Sequence, residues 1–343
     1  MKTQDNFSFY SISRDKIRNL QGFYIQADII IPKGFTFQNY LSGGFLNIRN
    51  ISLISGQSSR YKYIEYFQKN HENSKISELY STLFLATPIT KDLRVDLSRL
   101  GISHLAVLSG FHISFIIATI FIFSSILYKP IHNKFFPYRN FFRDTGIFAF
   151  LVIFIYLYFL DFPSSFLRAV SMFLIGFILF DRNILKGWFE TLFLATTFLI
   201  AFFPILIFSI SFWFSVSGVF YILLYMKYTK FPLWADLFLI NIWVFIAMIP
   251  IVHLIFPDFY LSQLLSPIWT ILFSIFYPLS AFLHISHFEN IFDEVLLQFL
   301  NINFGEKYQF QTPIWFFVSY TILSLYFAIK KLQKSSSKKR SEF

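Results

Sequence analysis

Long apolar segments follow one another along the chain from residue 101 to its last twenty residues. A helix that crosses a bilayer needs about 20 consecutive, mostly apolar residues. Segments close to that length predict seven spans, at residues 104–127, 145–160, 164–180, 188–203, 205–226, 235–255 and 313–332. The predicted fold class is therefore a polytopic α-helical membrane protein.

Two further segments carry apolar residues without the pattern of a simple span. Residues 262–283 are interrupted by Pro267 and Pro278, which predicts a re-entrant or broken segment that does not cross fully. Residues 286–303 repeat apolar positions at helical spacing with acidic residues between them. They predict an amphipathic helix on the membrane surface, with Phe292 and Phe299 in lipid.

The N-terminal part of the chain is more polar. Residues 23–31 read as a strand followed by a turn at 32–34, and residues 43–51 read as a turn and a second strand. Residues 58–81 have the charge spacing of a helix that leads toward the membrane. We therefore expect a small β-rich extracytoplasmic domain at 1–78, with a reduced OB-like fold as one possible form. A transmembrane domain at 79–332 and a basic cytosolic tail at 333–343 follow.

Charge and composition narrow the class further. Hydrophobic residues make up 55% of the chain and charged residues 14%, which excludes an ordinary soluble enzyme. The absence of Cys excludes disulfides and thiol catalysis. The loops at 129–144, 181–187 and 227–234, together with residues 330–343, hold fourteen Lys and Arg, whereas the opposite loops hold only Lys307. This asymmetry predicts the N-terminal domain outside and the tail inside the cytoplasm.

Polar residues in an apolar context mark the first candidate site. On one regular helix, His104, Ser109 and His112 would share a face, and that face would look into the bundle or into a wet cavity. A satisfied polar contact between helices, a nucleophile pair of Ser109 and His112, and a two-His metal site are the open alternatives. No nearby carboxylate completes the metal site.

A second candidate is Arg168, the only Lys or Arg inside a predicted span apart from Lys330 and Lys331 at the end of the last one. Pro163 fits the start of its helix, and Asp161 is the nearest counter-charge in sequence. Arg168 could snorkel to the interface, pair with Asp161, or provide a fixed positive charge for an anionic substrate such as a phosphate backbone. In a third segment, 208–218, small residues that end at Gly218 predict close helix packing.

These three segments resemble, in the same order, motifs of the ComEC family of DNA-uptake channels. His104 to His112 is similar to the family signature His-Leu-Leu-Ala-(Ile/Val)-Ser-Gly-Leu-His, and 163–169 resembles Pro-Ser-x-x-Arg-Ala with one residue more. Phe208 to Phe212 resembles Phe-Gln-Leu-Ser-Phe, with Ser209 in place of Gln. The resemblance covers about residues 79–343. It singles out as channel or motif positions His104, Ser109, Gly110, His112, Asp161, Pro163, Arg168, Ser211 and Gly218.

The resemblance implies a channel in the cytoplasmic membrane that imports single-stranded DNA during natural transformation. Its implied partners are single-stranded DNA, membrane lipid, a DNA-receptor protein, a cytosolic helicase or translocase, a separate nuclease and further copies of the chain. The sequence contains no His-x-His-x-Asp-His run, so we expect no nuclease activity, catalytic residue, metal or cofactor. An intramembrane hydrolase that uses Ser109 and His112, and a small-anion transporter that uses Arg168, are the alternatives.

Overall fold

The computed structural model describes residues 23–34, 36, 46–57, 61–182, 184, 187–229, 231–302 and 306–340. Most of these residues are helical, and strands are few. The predicted class of helical membrane protein is therefore confirmed.

Two antiparallel strands, β1 (Phe23–Ile30) and β2 (Asn47–Gln57), lie where the sequence places strands. Their register shifts twice, between Phe23 and Ile25 and between Gln26 and Asp28. Leu46 and Ile48 are buried beside the sheet. Much of the rest of 1–60 lies outside the described residues, so the OB-like form and the domain boundary at 78 stay predictions.

Three short helices follow the strands, α1 (Tyr61–Asn70), α2 (Ser74–Leu85) and α3 (Lys91–Arg99). The single helix predicted at 58–81 is wrong, because the chain leaves the helix after Asn70. Asn73 then accepts a hydrogen bond from the Lys75 amide and starts α2. The three helices share one apolar core with the later residue Leu300.

The apolar part of the chain forms a series of helices. Their bounds are α4 Ser103–Ala106, α5 Gly110–Phe123, α6 Lys129–Phe135, α7 Phe141–Phe159, α8 Ser164–Asp181, α9 Trp188–Phe202, α10 Ile210–Tyr228, α11 Leu233–Ile255, α12 Ser266–Ile285, α13 Asp293–Leu300 and α14 Ile314–Arg340. A π-helical turn, Ser124–Tyr128, joins α5 to α6. Short strands β3 (Asp258–Tyr260) and β4 (Lys307–Gln309) pair antiparallel. Among α7 to α12, helices adjacent in the chain pack together.

Five helical segments in the described part of the chain are long and apolar enough to cross a membrane. They are Gly110–Phe135, Phe141–Phe159, Ile210–Tyr228, Trp234–Ile255 and Leu261–Ile285. Trp188–Phe202 and Ile314–Lys330 are apolar but shorter. The predicted number of seven spans therefore stays a prediction.

The expectation of a broken segment at 262–283 is wrong. Residues Ser266–Ile285 form one helix, α12, and this region is among the five candidate spans. Pro267 lies in the first turn, where its missing N–H would have no partner within the helix in any case. Pro278 lies inside the helix, which membrane helices tolerate better than soluble ones do.

The segment predicted as a long surface helix is shorter and packs differently. It consists of a 3-10 turn, Glu289–Phe292, followed by α13. Phe292 contacts Phe276 and Phe299 contacts Trp269, with ring centroids 5.5 and 4.8 Å apart. Phe292 and Phe299 both pack on α12 and stay partly exposed, so their placement in lipid stays a prediction.

Candidate functional site

The segment that carries the first motif is not one regular helix. α4 ends at Ala106, Val107 is extended, and α5 begins at Gly110. The prediction that His104, Ser109 and His112 share one helical face is therefore wrong. His104 is exposed and His112 is fully buried. Among the described residues, no three His, Cys, Asp or Glu side chains are grouped to hold a metal ion.

The turn before this segment is fixed by the start of α12. Gly101 has φ +73°, a backbone conformation that favours glycine. A Cβ at this position would lie 3.1 Å from the Cβ of Ser266. Ser262 and Ser266 donate hydrogen bonds to the carbonyls of Arg99 and Gly101, at 2.6 and 2.9 Å. The end of α3 thus gains partners for carbonyls that a helix leaves unpaired.

Ser109 and His112 form the cap of α5. The Ser109 amide N–H donates to His112 Nδ1 at 3.2 Å, and Ser109 Oγ lies 3.3 Å from the same nitrogen. Because Nδ1 accepts from the amide, it carries no proton in this arrangement, and the neutral ring holds its proton on Nε2. His112 Nε2 is buried without a hydrogen-bond partner among the described residues.

Aromatic side chains of α12 enclose His112, and sequence reasoning missed them. The Tyr277 ring lies 4.6 Å from the imidazole centroid, edge to face, and the Phe273 ring lies 6.0 Å away. Neither residue stands out in an apolar segment that is rich in aromatic residues. α12 therefore contributes to this site as well as to the turn at Gly101.

Arg168 lies in the second turn of α8, which begins directly after Pro163 as predicted. Its side chain is buried, at 6% exposure. Nη1 donates to Ser209 Oγ at 3.5 Å, a long hydrogen bond, and Nε has no partner among the described residues. The ion pairs found among the described residues do not include Arg168.

The proposed pairing of Asp161 with Arg168 is therefore not what the structure has. Asp161 is exposed and lies with Phe162 in a left-handed turn between α7 and α8, at φ +58° and +54°. Ser209, 41 residues beyond Arg168, provides the contact instead. Sequence reasoning noted Ser209 only as a replacement for the family's Gln.

Ser209 is the N-terminal cap of α10. Its hydroxyl accepts a hydrogen bond from the Phe212 amide at 3.3 Å and also lies against the Arg168 guanidinium. The N-terminus of a helix carries a partial positive charge and free amide groups that favour anions. A buried guanidinium and a helix N-terminus therefore meet at one place.

Three motif positions have little contact in the structure. Within the described part of the chain, a Cβ added at Gly110 or at Gly218 would meet nothing within 4 Å. Ser211 is exposed, and its carbonyl accepts from Ser215 Oγ at 3.0 Å. The prediction that the small residues of 208–218 serve close helix packing is therefore wrong for Gly218 within the described residues.

α8 brings the three motifs together. Phe166 and Val170, on one side of α8, share an apolar cluster with Leu108 and Ile113 of the first motif. Arg168, between them in sequence, points instead toward Ser209 in the third motif. The motif segments, which are far apart in the chain, thus form one connected region around α8.

Comparison with known proteins supports the resemblance noted in the sequence. No curated protein and no solved structure matches the chain. The family described as "Competence protein" matches residues 86–329, which is more than half of the chain and includes all three motifs. Membership in this family indicates a role in DNA uptake during competence. The chain is therefore a member of the competence protein family, as its resemblance to ComEC proteins predicted.

Proposed function

We propose that this protein is a channel that carries single-stranded DNA across the cytoplasmic membrane. The family indicates DNA uptake, and the helices provide candidate membrane spans. The observation that carries the channel proposal is the buried Arg168 beside the N-terminus of α10. DNA presents a negative charge at every phosphate, so its passage favours a fixed positive group on the path.

The argument from Arg168 rests on the cost of its burial. A buried charge without a counter-charge is unfavourable. In the described residues a single hydroxyl contacts the guanidinium. A phosphate would supply the missing negative charge and could accept two hydrogen bonds from the planar fork. Such a contact would be independent of base sequence.

The Ser109–His112 pair favours a structural cap over a hydrolase site. The histidine nitrogen nearest the hydroxyl already accepts the Ser109 amide N–H. In addition, no carboxylate among the described hydrogen-bond partners orients the other nitrogen of the ring. A nucleophile needs a base that is free to accept its proton and that is held by a third group. We therefore retain the expectation that this chain is not an enzyme.

The test replaces Arg168 by Ala and measures DNA entry into the cytosol per molecule of membrane-inserted protein. Arg182→Ala is the matched control, because Arg182 ends the same helix at an exposed position. We expect Arg168→Ala to lower cytosolic entry by about tenfold to a hundredfold, the range of one hydrogen bond to a charged group. The control should retain normal entry, and DNA binding outside the membrane should be unchanged in both variants.

Normal DNA entry through a stable Arg168→Ala protein would remove Arg168 from the path. Anion flux into vesicles separates the channel from a small-anion transporter. The purified wild-type protein should not carry inorganic phosphate. Phosphate flux that depends on Arg168, together with normal DNA entry, would favour the transporter.

We also propose the orientation with the N-terminal domain outside and the basic tail inside. It rests on the distribution of Lys and Arg in the loops. It requires an odd number of crossings, so α12 must not cross the membrane completely if the seven predicted spans do. Single cysteines at Lys33 and Ser336 should react with a membrane-impermeant reagent from opposite sides, and the absence of native Cys makes the labelling specific. A DNA receptor, a helicase or translocase, a separate nuclease and self-association remain parts of the same proposal.

A further inference from the structure

A second polar cluster lies between α1, α2 and the end of α12, away from the three motifs. His71 follows α1, and its side chain is fully buried. Its Nδ1 lies 2.9 and 2.8 Å from the two carboxylate oxygens of Asp293 in α13. A carboxylate accepts hydrogen bonds, so Nδ1 of His71 carries a proton and donates it.

His284, in the last turn of α12, has its own fixed proton. Its Nδ1 lies 2.6 Å from the backbone carbonyl of Ser280. A carbonyl can only accept, so this Nδ1 is also a donor. The remaining nitrogens, Nε2 of His71 and Nε2 of His284, face each other at 3.3 Å.

The hydrogen bonds of the two rings determine their protonation state. A neutral imidazole has one N–H, and in both rings that proton is already on Nδ1. Two neutral rings would therefore set two lone pairs against each other. One additional proton makes one Nε2 a donor and the other an acceptor. We infer that His71 and His284 bind one proton between them, and that this proton joins the N-terminal helices to the end of α12.

Burial of the rings opposes a charge on them, whereas the carboxylates beside the pair favour a single positive charge. The groups that face the pair are Asp293 from α13, Glu289 from the turn after α12, Tyr66 from α1 and Tyr80 from α2. Burial raises the pKa of Tyr80 above its usual range, and Asp293 raises it further. Burial and the charge of Glu289 likewise raise the pKa of Tyr66. Both phenols therefore stay neutral, and the two carboxylates provide the negative charge.

The contact joins parts of the chain that are far apart in sequence. Tyr66 and Asn70 of α1 both donate to Glu289 Oε1, and His71 is 213 residues from His284. Loss of the shared proton at high pH would leave the carboxylate contacts but oppose the contact between the rings. The attachment of α1 and α2 to α12 should therefore weaken as pH rises.

Nitrogen-15 spectra of the imidazole rings test the protonation state directly. Single His→Gln variants assign the signals, since the chain has seven histidines. At about pH 6, near the ordinary histidine pKa, we expect one proton on each Nδ1 and one shared between the two Nε2 atoms. Neutral rings with free Nε2 atoms at that pH would overturn the inference.

The pH dependence of thermal stability is the second test. The Tm of the wild type should fall as the pH rises from about 6 to about 8.5. The ordinary pKa of histidine lies in this range, so the shared proton is lost across it. In His284→Gln, the amide can donate to a neutral His71, so at least half of that fall should disappear. His287→Gln is the matched control, because His287 is exposed three residues away, and it should keep the whole fall.

The variant Asp293→Asn tests the same inference in a different way, because it should shift the pH profile of the Tm instead of flattening it. Loss of the carboxylate charge should move the fall in Tm to lower pH, since less negative charge then favours the proton. An unchanged pH profile in both His284→Gln and Asp293→Asn would contradict the inference. So would stoichiometric zinc in the purified protein that chelation removes together with the stability, since a metal would then occupy the place of the proton.

Discussion

Arg168 and His71 are both buried basic side chains, and they differ in what surrounds them. His71 lies against the Asp293 carboxylate within 2.9 Å. Among the described residues, Arg168 has one long hydrogen bond, to the hydroxyl of Ser209. A basic group that the fold itself pairs serves to hold helices together. A charge that the fold leaves with one neutral partner is available to an anion from outside the fold, and this difference separates a structural cluster from a candidate DNA contact.

The largest effect should come from breaking the paired cluster. Asp293→Ala leaves the Nδ1–H of His71 buried without its acceptor. Removal of one member of a buried pair costs about 3 to 5 kcal/mol. We expect a clear loss of Tm and of inserted protein, measured by intrinsic fluorescence in detergent. Glu294→Ala, an exposed neighbour on the same helix, should stay close to the wild type.

Replacement of Arg168, which has no described counter-charge, should change the Tm in the opposite direction. Arg168→Met removes a charge whose burial no described carboxylate offsets and retains much of the side-chain volume. Such replacements are often neutral or stabilising, here by about 1 kcal/mol. We expect an equal or higher Tm together with reduced DNA entry. A strong loss of stability would show that Arg168 is structural and would end the contrast with His71.

Variants of Ser109 test whether its contact with His112 is structural, like that of His71, or functional, as proposed for Arg168. Ser109→Ala removes the hydroxyl that lies against His112 but keeps the amide that donates to it. Loss of a helix cap costs about 1 kcal/mol. DNA entry per inserted molecule should be unchanged, and Ser109→Asp should restore stability. Abolished entry in a stable Ser109→Ala protein would favour the hydrolase alternative.

The smallest effect should come from an exposed ion pair. Lys307 Nζ lies 2.9 Å from Asp258, and both side chains are 45% exposed. The hydrogen bond from Lys307 to Asp258 raises the pKa of Lys307, so its contribution is complete at neutral pH and is lost only as pH rises through that value. Because exposed pairs contribute little, Lys307→Gln should change the Tm less than Asp293→Ala, Arg168→Met or Ser109→Ala does. A loss of Tm as large as that of Asp293→Ala would mean that solvent exposure does not determine how much this ion pair contributes to stability.

Local pattern was sufficient for much of this fold. The length of the apolar segments predicted a membrane protein, because the thickness of the bilayer sets the length of a helix that crosses it. The strand-like residue patterns predicted the positions of β1 and β2, and Pro163 predicted the start of α8. The same reasoning failed at 104–112, where an assumed regular helix hid the extended residue Val107.

Pattern also failed where a residue has two possible roles. Pro267 and Pro278 suggested a break, yet α12 is continuous. A proline in the first turn of a helix costs no hydrogen bond, and its position in the helix is not visible until the helix start is known. The small residues before Gly218 likewise suggested a helix contact that the described part of the structure does not have.

The sequence by itself determined that this chain is a membrane protein with three motifs of a DNA-uptake family, and that Arg168 is unusual. Only the tertiary structure decided that Ser209 rather than Asp161 contacts Arg168, that Tyr277 encloses His112, and that His71 meets His284. Helix and strand signals depend on neighbours within a few residues. The partners of a buried polar group depend on how distant helices pack, which no local period records.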